Sequence, residues 1–373
     1  MKTKKLYSVL LNKYTKEFSD IPIHYVHTTL LLISCILIKE TVNLNKLKNQ
    51  VGIFLNSPTV QIASHYKRLT RYFLDVYVQK TLWKLILVFS IGSFLNRKDV
   101  KKEIFYLAMD GSVWKLGEYT YHVLVLSVIY RKMAIPIFWV NLERKGSSTV
   151  AHRKSLLASA LLLYPFLKRF TILADREYKG RVWFRYLEEN GYTYIIRLCK
   201  GDYQVEVKKY HSLLKKAKSG KLVSQEFEAD FAKRLKIVIS YNAQAAKESE
   251  KFVILLTNKH RLTKEKISAI YYLRWKIECL FRHLKTNGFH LEELGMVNPR
   301  KVRVLIALVI ASFLLCILEG VKTKQRVKKD NESFYESVFR IGYGKVVFYA
   351  TSIEKIIKKI TQLTNPNKTQ NTT

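Results

Sequence analysis

From Glu103 to Leu198 the sequence passes through apolar stretches in an order that few folds accept: three strand-like segments, a helix, a strand, a helix and a strand. Glu103 to Met109, His122 to Tyr130 and Met133 to Val140 are rich in aliphatic and aromatic residues, which suit a pleated, half-buried surface. Three such runs in succession predict a meander. Thr149 to Lys168 reads as a helix, Phe170 to Ala174 as a short buried strand, Gly180 to Asn190 as a helix closed by Gly191, and Tyr192 to Leu198 as a further strand. This order specifies an α/β fold, and it sets Asp110 and Asp175 at the ends of strands, where carboxylates of neighbouring strands converge.

The flanks differ in character. Residues 1–98 carry apolar residues at helical spacing, with a helix start predicted at Ser57-Pro58. That helix interleaves a basic set, His65, Lys67, Arg68 and Arg71, with Ile62, Tyr66, Leu69, Tyr72 and Phe73. Such a pattern suits the second helix of a helix-turn-helix, and equally an amphipathic helix with a solvated basic face. Residues 200–260 turn polar and strand-like, as in Lys236 to Ser240 and Phe252 to Leu256, which predicts a β-rich segment. A long helix is expected from Thr263 to Thr286, stopped by Asn287-Gly288. On a continuous helix Tyr271, Arg274, Glu278 and Lys285 fall within a window of roughly 60°, beside an apolar face of Ile270, Leu273, Ile277, Leu280, Phe281 and Leu284.

Charge narrows the partner. The 65 Lys and Arg outnumber the 29 Asp and Glu, giving a formal net charge of +36 spread from Lys2 to Lys368. A field of this size steers a chain onto a polyanion, nucleic acid first and an anionic membrane surface second. The longest apolar run, Val304 to Leu318, holds fifteen residues where a membrane span needs about 20, so buried helices are expected and no membrane partner. Cys35, Cys199, Cys279 and Cys316 lack metal-ligand spacing and read as buried thiols. No secretory pattern follows the basic N-terminus, which predicts a cytoplasmic, nucleoid-associated protein. The tail from Thr364 is expected to be disordered.

Tyr271, two residues, Arg274, three residues, Glu278, six residues and Lys285 resembles the signature of DDE transposases of bacterial insertion-sequence elements, of the insertion sequence four type. Asp110-Gly111-Ser112 and Asp175-Arg176-Glu177 resemble the two aspartate motifs of the same family. The resemblance spans roughly Glu103 to Lys285. It implies a ribonuclease-H-like core with a β-rich insertion, flanked by helical N- and C-terminal regions. The corresponding divisions are 1–98 for DNA binding, 99–199 with 261–290 for the catalytic core, 200–260 for the insertion and 291–373 for the C-terminal helices.

What the resemblance implies chemically is metal-dependent cleavage at transposon ends and strand transfer by cut and paste, through a DNA hairpin, within a synaptic homodimer on double-stranded DNA. Asp110, Asp175 and Glu278 become the catalytic and metal-binding carboxylates. Two Mg²⁺ ions, or Mn²⁺, suit an all-oxygen set, and about 3.5–4 Å apart they stabilise both ends of an in-line displacement. Tyr271, Arg274 and Lys285 become phosphate contacts, and Trp275 a residue that stacks on a displaced base. Relatives place a base-stacking Trp in the insertion, where this chain has none; Tyr203, Tyr210, Phe227 and Tyr241 are the candidate substitutes. Singly, each residue also fits a plainer role: a tight Asp-Gly turn at Asp110, a helix cap at Asp175, a salt-bridge ladder around Glu278, and a solvated loop residue at Glu177. A catalytically silent, transposase-derived DNA-binding regulator and a junction-cleaving nuclease are the rival functions.

Overall fold

The computed structural model describes residues 21–55, 60–116, 119–142, 146–329 and 337–351, with 355, 356, 358 and 359. The helix start at Ser57-Pro58 and the tail from Thr364 lie outside them. The chain divides into two compact units: residues 102–113 with 121–281, and residues 1–101, 114–120 and 282–373.

The first unit is built on a mixed sheet of eight strands in the order β3-β2-β1-β4-β5-β8-β7-β6. The strands are β1 (Tyr106–Leu116), β2 (Tyr119–Tyr130), β3 (Met133–Leu142), β4 (Thr171–Ala174), β5 (Tyr194–Leu198), β6 (Val223–Ala229), β7 (Ala232–Tyr241) and β8 (Phe252–Thr257). β1, β4 and β5 run parallel, whereas β2 with β3 and the whole series β5-β8-β7-β6 pair antiparallel. Parallel neighbours need a crossover, and the helix Arg181–Glu189 supplies it between β4 and β5. Gly191, at φ 66°, takes the left-handed position just past that helix, where a side chain would be strained. β4 is only four residues long and every one is buried, as expected of a strand covered on both faces. The mixed α/β arrangement is consistent with a ribonuclease-H-like domain.

Three local expectations need correction. Pro165 ends the first core helix early, so that Val150–Leu163 is α-helical and Pro165–Arg169 a 3₁₀ turn. The polar stretch after β5 contains a helix, Tyr210–Lys218, that the dense lysines had masked. The single helix from Thr263 to Thr286 is two, Lys264–Tyr272 and Trp275–Lys285, with i to i−3 hydrogen bonds from Leu273 and Arg274 closing the turn between them.

Apart from the ends of β1 and β2 at 114–116 and 119–120, the regular structure of the second unit is helical among its described residues. Its longest helix, Pro299–Lys329, is 31 residues, so the fifteen-residue apolar run is embedded in an element twice that length. Among the described residues two segments, Val78–Leu95 and Pro299–Gln325, are each long and apolar enough to cross a membrane, and the apolar window of the second is wholly buried by the protein itself. Val338–Ala350 packs on it at two glycines, Gly320 and Gly342, where the backbones touch. The helix Ile62–Leu74 turns Leu69, Tyr72 and Phe73 inward, leaving Lys67, Arg68 and Arg71 exposed. His65 does not belong to that basic face; it is buried against Gly52, while Ile62 is exposed. All four cysteines are free, but only Cys35 and Cys316 are buried.

Candidate active site

Asp110 and Asp175 are neighbours because of strand register. Met109 and Ala174 are the last paired residues of the parallel strands β1 and β4, so the next residue on each is an aspartate. Asp110 is not at a strand end, since β1 continues to Leu116, nor is it in a hairpin turn. It stands at the first position past the β4 pairing. On the other side of β4, Ala174 pairs with Ile196, which brings the following Arg197 to 3.9 Å from Asp175 Oδ1.

The broken helix brings in the rest. Ile267 and Tyr271 are buried against Leu173, Ile195, Val238 and Leu255 of the sheet, which fixes Lys264–Tyr272 over the strands. From there the Tyr271 hydroxyl donates to Asp175 Oδ1 at 3.3 Å. Arg274, 9% exposed, donates from Nη1 to Asp110 Oδ2 at 3.2 Å and from Nη2 to Glu278 Oε1 at 2.6 Å. Arg274 therefore bridges Asp110 and Glu278, while Tyr271 and Arg197 hold Asp175. Trp275 is half-exposed beside them in sequence. Lys285 falls in the other unit, where it is 3.8 Å from Glu292 and burial lowers its pKa.

Electrostatically the site is under tension. Burial raises the Asp110 carboxyl to about 7; Arg274 and the Gly111 N–H, which donates to Oδ1 at 2.8 Å, pull it back, while Asp175 and Glu278 push it further up. Burial works against the charge on Arg274, but Tyr271, Asp175, Asp110 and Glu278 more than offset it and hold Arg274 above its ordinary value. Burial likewise raises the Tyr271 and Tyr178 hydroxyls. The Tyr178 hydroxyl is buried without a hydrogen-bond partner, and a Cβ placed on Gly111 would stand 3.6 Å from it.

Some contributors were not legible beforehand. Glu177 is exposed but not a free loop residue: its Oε1 accepts from Ser148 N at 2.9 Å and Ser148 Oγ at 3.2 Å. Arg153, buried, donates to Ser148 O and Glu177 O, both at 2.9 Å, and lies over the Tyr178 ring. This ties the turn after Asp175 to the start of the helix Val150–Leu163. The run Asp175-Arg176-Glu177-Tyr178 was the only signal in the sequence, and it gave no hint of Arg153. Glu177→Ala is expected to destabilise the protein by about 1–2 kcal/mol, the scale of a charge-assisted hydrogen bond, measured by urea denaturation. No change in midpoint would remove Glu177 from this role.

The candidate stacking residues of the β6–β8 region are engaged in packing. Tyr210 and Phe227 are buried, Tyr203 sits among Phe184, Phe227 and Phe231, and Tyr241 meets Phe252 edge-on at 4.8 Å.

A family model described as a transposase DDE domain matches residues 106–315, more than half of the chain. The chain belongs to the DDE transposase family. No curated protein matches it. The matched part of this transposase includes Asp110, Asp175, Tyr271, Arg274, Glu278 and Lys285, and family membership makes DNA the partner on which it acts. The excess of basic residues over acidic ones suits that partner.

Proposed function

We propose that this transposase cuts and rejoins DNA at the ends of an insertion-sequence element, with Asp110, Asp175 and Glu278 as its catalytic carboxylates. The observation that carries the reading is that Arg274 bridges Asp110 and Glu278 while Tyr271, one turn earlier, holds Asp175 on the strand beside Asp110, which neither a turn, a helix cap nor a surface ion-pair ladder requires. The reaction is hydrolytic nicking, in which a water oxygen bonds to phosphorus and the bond to the leaving 3′-oxygen breaks, followed by attack of that freed 3′-hydroxyl on a second phosphodiester. Cut and paste through a DNA hairpin, and a synaptic homodimer, follow from the insertion sequence four type signature in the Tyr271 to Lys285 spacing.

A divalent ion is tested by its donors. Three carboxylates form an all-oxygen set suited to Mg²⁺ or Mn²⁺, and the site already stabilises a cation between two of them, so the donor chemistry fits. As the side chains stand, no group of three His, Cys, Asp or Glu among the described residues is close enough to hold a metal. Asp110, Asp175 and Glu278 are the residues that would hold it. When bound, the metal supplies Lewis-acid stabilisation of charge on the attacking and leaving oxygens. Tyr271, Arg274 and Lys285 orient the DNA by its phosphates, and the exposed Trp275 offers a stacking surface. The exposed Lys67, Arg68 and Arg71 support DNA contact by residues 1–98, residues 200–260 act as the β-rich insertion, and 291–373 form the C-terminal helical region.

The test is strand cleavage of labelled DNA carrying the ends that flank the gene, with Mg²⁺, by wild type and Glu278→Gln, with binding followed in parallel. Wild type is expected to nick at the element boundary and Glu278→Gln to bind without cutting. If both bind and neither cuts with Mg²⁺ or Mn²⁺, the protein is a silent DNA-binding regulator.

A further inference from the structure

Arg274 is asked to be in two places. As a DNA ligand it must face a phosphate, yet each of its terminal nitrogens donates to a buried-site carboxylate, Asp110 or Glu278, and its Nε is buried without a hydrogen-bond partner. A guanidinium carries five N–H donors in a fixed planar fork, and with the residue only 9% exposed the three donors not used by these carboxylates cannot turn to grip a phosphate bidentately while Arg274 stays seated between them. It is also a positive charge standing among the carboxylates that a divalent ion needs. Two cations cannot share that space, because their repulsion in a poorly solvated site is large and the oxygens would be divided between them.

We propose that Arg274 is the resident counter-cation of the carboxylate site, exchanged for a divalent ion when a DNA phosphate takes its guanidinium. This rests on the reading of Asp110, Asp175 and Glu278 as metal ligands. The backbone provides a place for the exchange: Arg274 sits at the break between Lys264–Tyr272 and Trp275–Lys285, outside a regular helical turn, while Tyr271 is anchored in the apolar cluster one turn earlier. Arg197 remains 3.9 Å from Asp175 and the Tyr271 hydroxyl stays on the same oxygen, so one carboxylate keeps its orientation when Arg274 leaves.

The consequence is coupling. In DNA-free protein Arg274 competes with the metal; with DNA bound, the competitor is removed. By linkage, a duplex that tightens metal binding by some factor must itself be bound more tightly by that factor when metal is present. A transposase wired this way holds metal poorly until it holds DNA, which limits cleavage away from a seated substrate.

The experiment is Mn²⁺ binding to the full-length protein, read as the loss of the free-ion paramagnetic resonance signal, with no DNA and no turnover. Wild type, Arg274→Gln, Arg274→Lys and the double variant Asp110→Asn/Asp175→Asn are compared, each checked for folding by circular dichroism. Arg274→Gln is expected to bind Mn²⁺ at least tenfold more tightly than wild type, and Arg274→Lys, which keeps a charge without the fork, to fall between them. In a second arm, Mn²⁺ is expected to tighten a fluorescent 30-base-pair duplex on wild type by about tenfold or more, and to have a much smaller effect on Arg274→Gln. Equal or weaker Mn²⁺ binding by both Arg274 variants, with binding lost in the double carboxylate variant, overturns the exchange and leaves the metal-ligand reading standing. Mn²⁺ binding unchanged in the double carboxylate variant overturns the metal-ligand reading itself, and the exchange with it. If Arg274→Gln does not fold, Arg274→Lys decides: affinity no higher than that of wild type overturns the proposal.

Discussion

Replacing Asp110 by Asn is expected to reduce strand cleavage by roughly 10³-fold or more, and at the same time to make the DNA-free protein more stable than wild type at pH 8. The two effects have one cause. Asp110 has only 17% of its side chain exposed, and burial raises its carboxyl from the ordinary 3.8 to about 7 despite the guanidinium beside it. A raised folded-state pKa means that the folded protein holds a proton which the unfolded chain has lost. Its contribution is therefore fully present below about pH 4 and disappears as pH rises through about 7. A shift of this size corresponds to at most about 4 kcal/mol, and loss of the Arg274 contact in the Asn variant offsets part of the gain. Wild type should lose about 1–3 kcal/mol between pH 5 and pH 8 through this group, and Asp110→Asn should lack that part of the slope. Urea titrations at the two pH values measure it. A variant whose stability falls with pH as wild type's does would show that Asp110 is not the strained group, and cleavage by the variant at the wild-type rate would remove it from the reaction.

Much of the site could be read in the sequence because it depends on strand register. Two apolar runs, each ending in an aspartate, become parallel neighbours, and the register then sets Asp110 beside Asp175 with no further information. The spacing of Tyr271, Arg274 and Glu278 foreshadows their meeting with those aspartates, although the chain between them is two helices rather than one. Apolar periodicity continues through Leu273, so nothing local marks the break at Arg274; it accompanies contacts to carboxylates more than a hundred residues away in one case and four in another. Lys285 lies seven residues past Glu278 within the single helix Trp275–Lys285, so the break at Arg274 leaves that pair on one face. His65 was grouped with basic neighbours because it can carry a charge, but the close approach of Gly52 gives it a buried position instead. Arg153 could not have been found: its partners are backbone carbonyls and a serine, and their convergence is a property of the fold.

The other large effect lies away from the carboxylates, where the helices Pro299–Lys329 and Val338–Ala350 cross. A Cβ on Gly342 would stand 1.7 Å from the Cys316 carbonyl oxygen and 2.6 Å from Gly320 N, and one on Gly320 would stand 1.9 Å from the Val338 carbonyl oxygen. These are backbone atoms, which cannot rotate away as a side chain end can. Adding a methyl group at Gly342 must push two buried helices apart, and overpacking of this kind costs about 3 kcal/mol or more. Gly344, two residues further along the same helix, has open space around its Cα, so that Ala there gains helix propensity worth roughly 0.5–1 kcal/mol without a clash. Gly342→Ala is therefore expected to lower the thermal midpoint by several degrees or to prevent folding, and Gly344→Ala to leave it unchanged or raise it. The contrast separates packing from propensity, since both substitutions make the same chemical change in one helix. Equal midpoints for the two variants would mean that the helices do not meet at their backbones, and that the long apolar helix is held by side chains alone.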